Sequence, residues 1–283
     1  MTYNAQIIAF INMKGGVGKT TLCKEMSINI SENYADSEND RDLKILLIDI
    51  DPQSNLTQSL NEKYFPESLP TASIQNIFTQ TSVGTNESNI IMKLTDKIDL
   101  IPGELETIFL ERSTGNDTGQ KLMNYIEDNQ LRERYDYIFI DCPPTFSIYT
   151  EATLFCSDYY FVPVLPDAYS ALGVDLLERV VDRIENSYRH SIFKHKPRPE
   201  NLGVIITRLD LRNKPRQADH INALKQSDIV INKDIHIFNG TFNESNKLST
   251  FDFNTSIADR DDTTLQNNMN LICNEFLGRI HEL

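Results

Sequence analysis

Short, almost unbroken apolar runs alternate along the chain with longer stretches in which apolar residues recur every three or four positions. Gln6–Asn12 is the first run and leads straight into glycines, which predicts a buried strand. In Lys19–Ser31, Leu22, Met26 and Ile30 fall at i, i+4 and i+8, which predicts a helix with one apolar face. Lys44–Ile50, Tyr137–Asp141, Tyr159–Val164 and Leu202–Thr207 read as further buried strands, and Ile235–Phe238 as a last short one. Helices are expected over Lys121–Arg134, Ile148–Cys156, Val174–Tyr188, Ala218–Ser227 and Leu265–Ile280. The polar, acidic Tyr34–Asp42 and the proline-bearing Lys194–Pro199 read as loops. Strands with no polar face need cover on both sides. The pattern therefore predicts an α/β fold: a mostly parallel, twisted sheet of about seven or eight strands with helices on both faces. No internal repeat interrupts it, and residues 1–283 read as one domain.

Composition adds little to this picture. A hydrophobic fraction of 40% suits a sizeable core. There is no apolar run of about 18 residues, so no membrane-spanning helix is expected. Met1–Gln6 lacks the basic start of a signal peptide. Cys23, Cys142, Cys156 and Cys273 are far apart and form no paired motif, so reduced, buried thiols in a cytoplasmic protein are expected. Charge adds more. A net charge of −14 argues against a protein coated in nucleic acid. Yet Arg179–Arg216 holds ten Lys and Arg against four acids, a local balance of +6.

The first candidate chemistry is the string Lys14-Gly15-Gly16-Val17-Gly18-Lys19-Thr20-Thr21 between the first strand and the first helix. Gly18-Lys19-Thr20 match the end of the general phosphate-loop pattern, while Met13 stands where its first glycine would be. Glycines let the backbone come close to an anion, and the amides of Gly16–Thr20 can form a nest around phosphates. The helix behind presents its positive end to the same charge. Lys19 would neutralise phosphate, and the Thr20 hydroxyl is a candidate Mg²⁺ ligand.

Two further segments end strands at the carboxyl edge of the sheet, where ligands sit in open α/β folds. Asp49 and Asp51 follow the second strand, and a period of two would put both on one side of the extended chain. Asp141 ends the third strand and leads into Cys142-Pro143-Pro144. Cys142 reads as a small filler near the site, since no second ligand has suitable spacing.

In these three segments the chain resembles the ParA/MinD superfamily of ATPases, the deviant Walker class marked by a second lysine at the start of the loop. The resemblance implies ATP and Mg²⁺ as ligands and slow hydrolysis. It implies that Lys14 reaches across a nucleotide-sandwich homodimer to the partner's phosphates, as a cation supplied in trans. Asp49-Ile50-Asp51-Pro52-Gln53 is similar to the family's switch I, which makes Asp51 the group that orients the attacking water and Asp49 a support for Mg²⁺ through water. Tyr135–Pro144 is similar to Walker B with switch II, which gives Asp141 a hold on Mg²⁺.

The likeness runs over Gln6–Asp210, including the stretch Ala152–Val174, and weakens beyond. Adenine contacts would come from the Thr207-Arg208 turn and from Ile237–Ser249, where Phe238 is the candidate; that segment lacks the family's usual proline. A first strand beginning by Gln6 leaves no room for an N-terminal DNA-reading domain, which is the pattern of small ParA proteins. These bind DNA without sequence preference and leave site recognition to a ParB-type partner. The resemblance therefore implies a cytoplasmic, nucleoid-associated protein of plasmid or chromosome partition. The basic residues that would touch DNA are among Arg189, Lys194, Lys196, Arg198, Arg212, Lys214 and Arg216. A MinD-like, membrane-cycling ATPase is the alternative. It would need a basic amphipathic C-terminal helix, whereas Leu265–Leu283 carries an apolar stripe and one arginine, the pattern of a docked core helix without stable membrane association.

Overall fold

The structure, a computed structural model, describes residues 4–36, 40–64, 72–79, 90–105, 118–188, 198–244 and 255–282. The elements run β1 (Gln6–Phe10), α1 (Lys19–Asn33), β2 (Ala35–Asp36), β3 (Arg41–Asp42), β4 (Ile45–Asp49), α2 (Asn55–Tyr64), α3 (Ile74–Thr79), β5 (Met92–Lys93), β6 (Ile98–Ile101) and α4 (Thr118–Asp128). They continue with β7 (Tyr137–Asp141), α5 (Ile148–Cys156), β8 (Tyr159–Val164), α6 (Ser170–Tyr188), β9 (Glu200–Leu209), α7 (Gln217–Lys225), α8 (Asp228–Asn232), β10 (Phe242–Asn243) and α9 (Thr263–Glu282). Eight strands form one sheet in the order β10-β9-β8-β1-β7-β4-β6-β5. Every neighbouring pair is parallel except β5 with β6.

Alternate strand residues feed two cores, as a period of two requires. Ile7, Ala9 and Ile11 of the first strand region face one layer with Ile48, Ile138, Leu122 and Val174; Ile8 and Phe10 face the other with Leu22, Met26, Ile272 and Phe276. The second layer is aromatic at its centre: Phe161 meets Phe10, Phe238 and Phe276 edge to face. Complete burial of a side chain such as Phe276 stabilises by roughly 1.5–3 kcal/mol. The α9 stripe Leu265, Met269, Ile272, Phe276 and Ile280 is buried in this layer, so it covers the sheet and is not displayed at the surface.

Several boundaries differ from expectation. The expected strand at Ile235–Phe238 is a single bridge from Ile237 to Val204, and the edge strand is β10 instead. Within the expected Tyr34–Asp42 loop, β2 and β3 pair as a short antiparallel ribbon. The polar helix α2 and the short α3 and α8 carry weak apolar patterns, yet all are present.

Candidate nucleotide site

The parallel register brings three carboxyl strand ends together. Phe10 of β1 and Asp49 of β4 both pair with Asp141 of β7, so the loops after these strands open on one edge. There Gly15, Gly16, Val17, Gly18, Lys19, Thr20 and Thr21 line a cleft of about 480 Å³ with Asp51, Gln53, Asn55, Pro144, Arg208, Phe242, Asn243 and Glu244. The volume suits a small-molecule ligand.

The loop's shape follows from its glycines. Gly16 (φ 71°) and Gly18 (φ 90°) adopt left-handed backbone that a side chain would strain. Gly18 is also the N-cap of α1. It has no side chain to cap the helix, and the first turn holds no acidic residue. The free amides and positive helix end therefore remain for an anion. The loop is braced from outside: Lys14 N donates to Asn12 Oδ1 (2.8 Å), Asn12 Nδ2 donates to the Pro163 carbonyl (2.7 Å), and the Thr207 hydroxyl lies 2.7 Å from the Val17 carbonyl.

Lys19 is buried, with Nζ 3.4 Å from the Lys14 carbonyl. Burial lowers its pKa, and Asp141, Cys142 and Asp51 pull it back up. Thr20 Oγ1 donates to Asp141 Oδ2 at 2.6 Å. The second oxygen, Asp141 Oδ1, is buried and has no hydrogen-bond partner among the described residues. Burial, then the neighbouring Asp49 charge, drive the Asp141 pKa well up. An orphaned carboxylate oxygen beside a hydroxyl, both hard donors, fits a divalent cation of the Mg²⁺ type. Asp51 lies at the cleft wall, and its Oδ1 accepts from Gln53 N at 2.9 Å, which fixes the start of the switch.

Lys14 is unlike Lys19. Its side chain is 46% exposed and forms an ion pair with Asp167, in the turn between β8 and α6. Burial raises the Asp167 pKa, but the Lys14 bond and the Tyr169 amide outweigh it and hold the carboxyl below its usual range. Lys14 is thus half-exposed and is not among the residues that line the cleft.

Three expected site residues lie elsewhere. Asp49 is wholly buried and outside the cleft; its Oδ2 accepts from Thr57 N (2.8 Å) and Thr57 Oγ1 (2.7 Å), which ties down the start of α2. The period-of-two argument fails because β4 ends at Asp49, so Asp51 belongs to the turn. Burial raises the Asp49 pKa to about 7 against the Thr57 bonds. Gly103 seals the pocket behind it: a Cβ there would lie 2.8 Å from Asp49 Cγ. Phe238 is likewise in the core, packed edge to face on Phe161, and does not line the cleft. Thr207 is buried beneath the loop rather than at the base end. Arg208 (φ 50°) does line the cleft, as do Phe242 and Asn243 of β10 and Glu244 just after it, which sequence reasoning missed. Cys142 is buried, and burial pushes its thiol up beyond the ordinary range.

Among the basic candidates, Arg189, Lys194 and Lys196 lie outside the described residues. Arg198 is bound to the buried Glu178 (2.7 Å) and to Asp182 (3.2 Å), so it is not a free surface cation. Arg212, Lys214 and Arg216 are exposed on the turn between β9 and α7, and Lys214 pairs with Glu244 at the cleft wall.

A strand, a glycine loop with a buried lysine, and two aspartates on neighbouring strand ends define a P-loop nucleotide-binding class. A family model described as AAA domain matches residues 5–194. The chain belongs to the ParA/MinD superfamily of P-loop ATPases. It is 33% identical over 78% of its length to an uncharacterised protein of Methanocaldococcus jannaschii, covering 79% of that protein. It is 28% identical to the chromosome partitioning protein ParA of Caulobacter vibrioides, over 74% of this chain and 71% of that one. In fold it is similar to a plasmid partition protein from Borrelia burgdorferi solved with AMPPNP (23% identity, TM-score 0.73, 98% and 99% covered). It is also similar to a variant of Cyanothece McdA in complex with ATP (21% identity, TM-score 0.77, 98% and 97% covered).

Proposed function

We propose that this chain, as one ATPase domain over residues 1–283, is a ParA-type partition ATPase that binds ATP with Mg²⁺, pairs with a second copy and hydrolyses ATP slowly. The observation that carries this reading is the cleft itself. Lys19, Thr20 and Asp51 line it, Asp141 accepts from Thr20 through one oxygen and keeps the other buried and unpartnered among the described residues, and Lys14 stands apart, half-exposed.

In this mechanism the Gly16–Thr20 amides and Lys19 hold the β- and γ-phosphates. Thr20 and Asp141 would hold Mg²⁺, which when bound offsets phosphate charge. Asp51, fixed by the Gln53 amide, orients water toward the γ-phosphate. Lys14 leaves Asp167 to serve the facing copy's phosphates, adding positive charge where negative charge builds. Asp49 acts indirectly by anchoring the first turn of α2, so the segment between Asp49 and Thr57 is held at both ends.

The output would be ATP-dependent, non-specific binding to nucleoid DNA, released when a ParB-type partner stimulates hydrolysis in the cytoplasm. Exposed Arg212, Lys214 and Arg216 support a DNA-facing surface, and Arg189, Lys194 and Lys196 remain candidates. The burial of the α9 stripe favours this over the membrane-cycling alternative. The test is Asp51→Ala in a pull-down on random-sequence duplex DNA with ATP. The variant should stay bound after the wild type has released. Wild-type turnover in Asp51→Ala would remove Asp51 from the mechanism.

A further inference from the structure

One carboxylate joins the nucleotide cleft to the basic turn. Glu244, just past β10, is held in place by its amide, which donates to the Leu209 carbonyl at 3.0 Å. Its two oxygens go in two directions. Oε1 accepts from Arg208 Nη2 at 3.3 Å, and Oε2 makes an ion pair with Lys214. Arg208 and Glu244 both line the cleft, and Arg208 Nη1 lies 3.5 Å from the carbonyl of Gly16 in the phosphate loop. Lys214 belongs to the exposed turn that also carries Arg212 and Arg216. That turn is internally bonded: Lys214 N donates to the Asp210 carbonyl (2.8 Å), and Asp210 accepts from Asn213 N (3.1 Å) and Nδ2 (2.9 Å). At its far end Gln217 Nε2 donates to the Arg208 carbonyl at 3.3 Å.

We infer that Glu244 is a shared positioning residue that couples anion binding at the Leu211–Arg216 turn to nucleotide binding in the cleft. The inference rests on the DNA-facing assignment of that turn for its natural ligand, a phosphodiester backbone, but the coupling itself lies within this chain. Arg208 and Lys214 share Glu244, one on each oxygen. With Lys214 on Oε2, Arg208 is held by two long bonds, 3.3 Å to Glu244 Oε1 and 3.5 Å to the Gly16 carbonyl. A phosphate that takes Lys214 frees Oε2, and Arg208 can then engage the carboxylate with both arms of its planar fork. A guanidinium fixed in this way forms a flat wall at the base end of the cleft, so nucleotide binds more tightly. By linkage, bound nucleotide then favours the anion at the turn by the same factor. The groups involved are partly exposed, so the coupling is small, about two- to fivefold, the range of exposed ion pairs.

The experiment is a double-mutant cycle read by the affinity of a fluorescent ATP analogue, with thermal unfolding of each variant as a fold control. Lys214→Gln should tighten binding about two- to fivefold without DNA, because it mimics the occupied turn. Glu244→Gln should weaken it, and Lys214→Gln should have no effect in the Glu244→Gln background. Random duplex DNA should tighten binding for the wild type and for neither variant. Additive effects of the two substitutions, or an unchanged affinity in Lys214→Gln, would overturn the coupling. A non-additive cycle together with no DNA binding by the wild type would leave the coupling standing and remove the DNA-facing reading of the turn.

Discussion

The two ends of the cleft are built differently. At the loop end, Val17, Lys19, Asp51 and Asp141 are all buried, and their partners are the Thr207 hydroxyl, the Lys14 carbonyl, the Gln53 amide and the Thr20 hydroxyl in turn. At the base end, Arg208 and Lys214 are about half exposed and joined through a single glutamate. Buried groups are costly to leave unpaired, so the loop end has one arrangement and a ligand that completes it. Exposed ion pairs are weak and exchangeable, so the base end can adjust.

The sharpest way to break this contrast is at the loop end. Lys19→Ala should lower turnover about 100-fold or more, because a charge aimed at the developing transition state is lost. A phosphate-release assay at saturating ATP decides it; loss of only a fewfold would mean the two ends do not differ in kind. A second test acts through packing. Gly103→Ala puts a methyl against Asp49, with no room at 2.8 Å, and should cost about 1–3 kcal/mol in urea unfolding while slowing turnover. Unchanged stability would show that Asp49 is not clamped. At the base end, Arg208→Ala should raise the nucleotide Kd only about two- to fivefold with turnover at saturation nearly kept.

The smallest effect expected is at Glu275 of α9. Its carboxylate accepts from Asn239 N, Asn239 Nδ2 and Gly240 N and meets His236 Nε2 at 2.9 Å, which fixes the turn before β10. Burial raises its pKa, but the Gly240 and Asn239 amides and His236 outweigh it, so the folded pKa lies below the usual glutamate range. A lowered carboxyl pKa stabilises above the unfolded value, and that contribution disappears as pH falls through the folded one. Glu275→Gln should therefore be less stable than wild type at pH 7, with the gap closing below about pH 4. A gap independent of pH in chemical unfolding curves would contradict the assignment.

The grouping of the glycine loop, Lys19, Thr20 and Asp51 at one cleft was legible in the sequence, because it follows from residue type and order. Tyr137–Asp141, Ile148–Cys156 and Tyr159–Val164 match the observed elements, since unbroken apolar runs and periodic ones leave few alternatives. At the other end of the cleft only Arg208 was legible. β10 has two residues, too few for a pattern, and Phe238 is aromatic for the core's sake. Asp49 was misplaced because strand alternation was carried past the end of β4. Arg198 looked free because Glu178, its partner, stands one residue before the basic window and meets it only through the fold.

The central claim is that the phosphate site is shared, with Lys14 serving a second copy. Turnover per subunit, measured against protein concentration, tests it most directly for wild type and Lys14→Gln. Wild-type specific activity should rise with concentration and then level off, while Lys14→Gln should bind nucleotide yet stay inactive throughout. Specific activity independent of concentration, or wild-type turnover in Lys14→Gln, would contradict it.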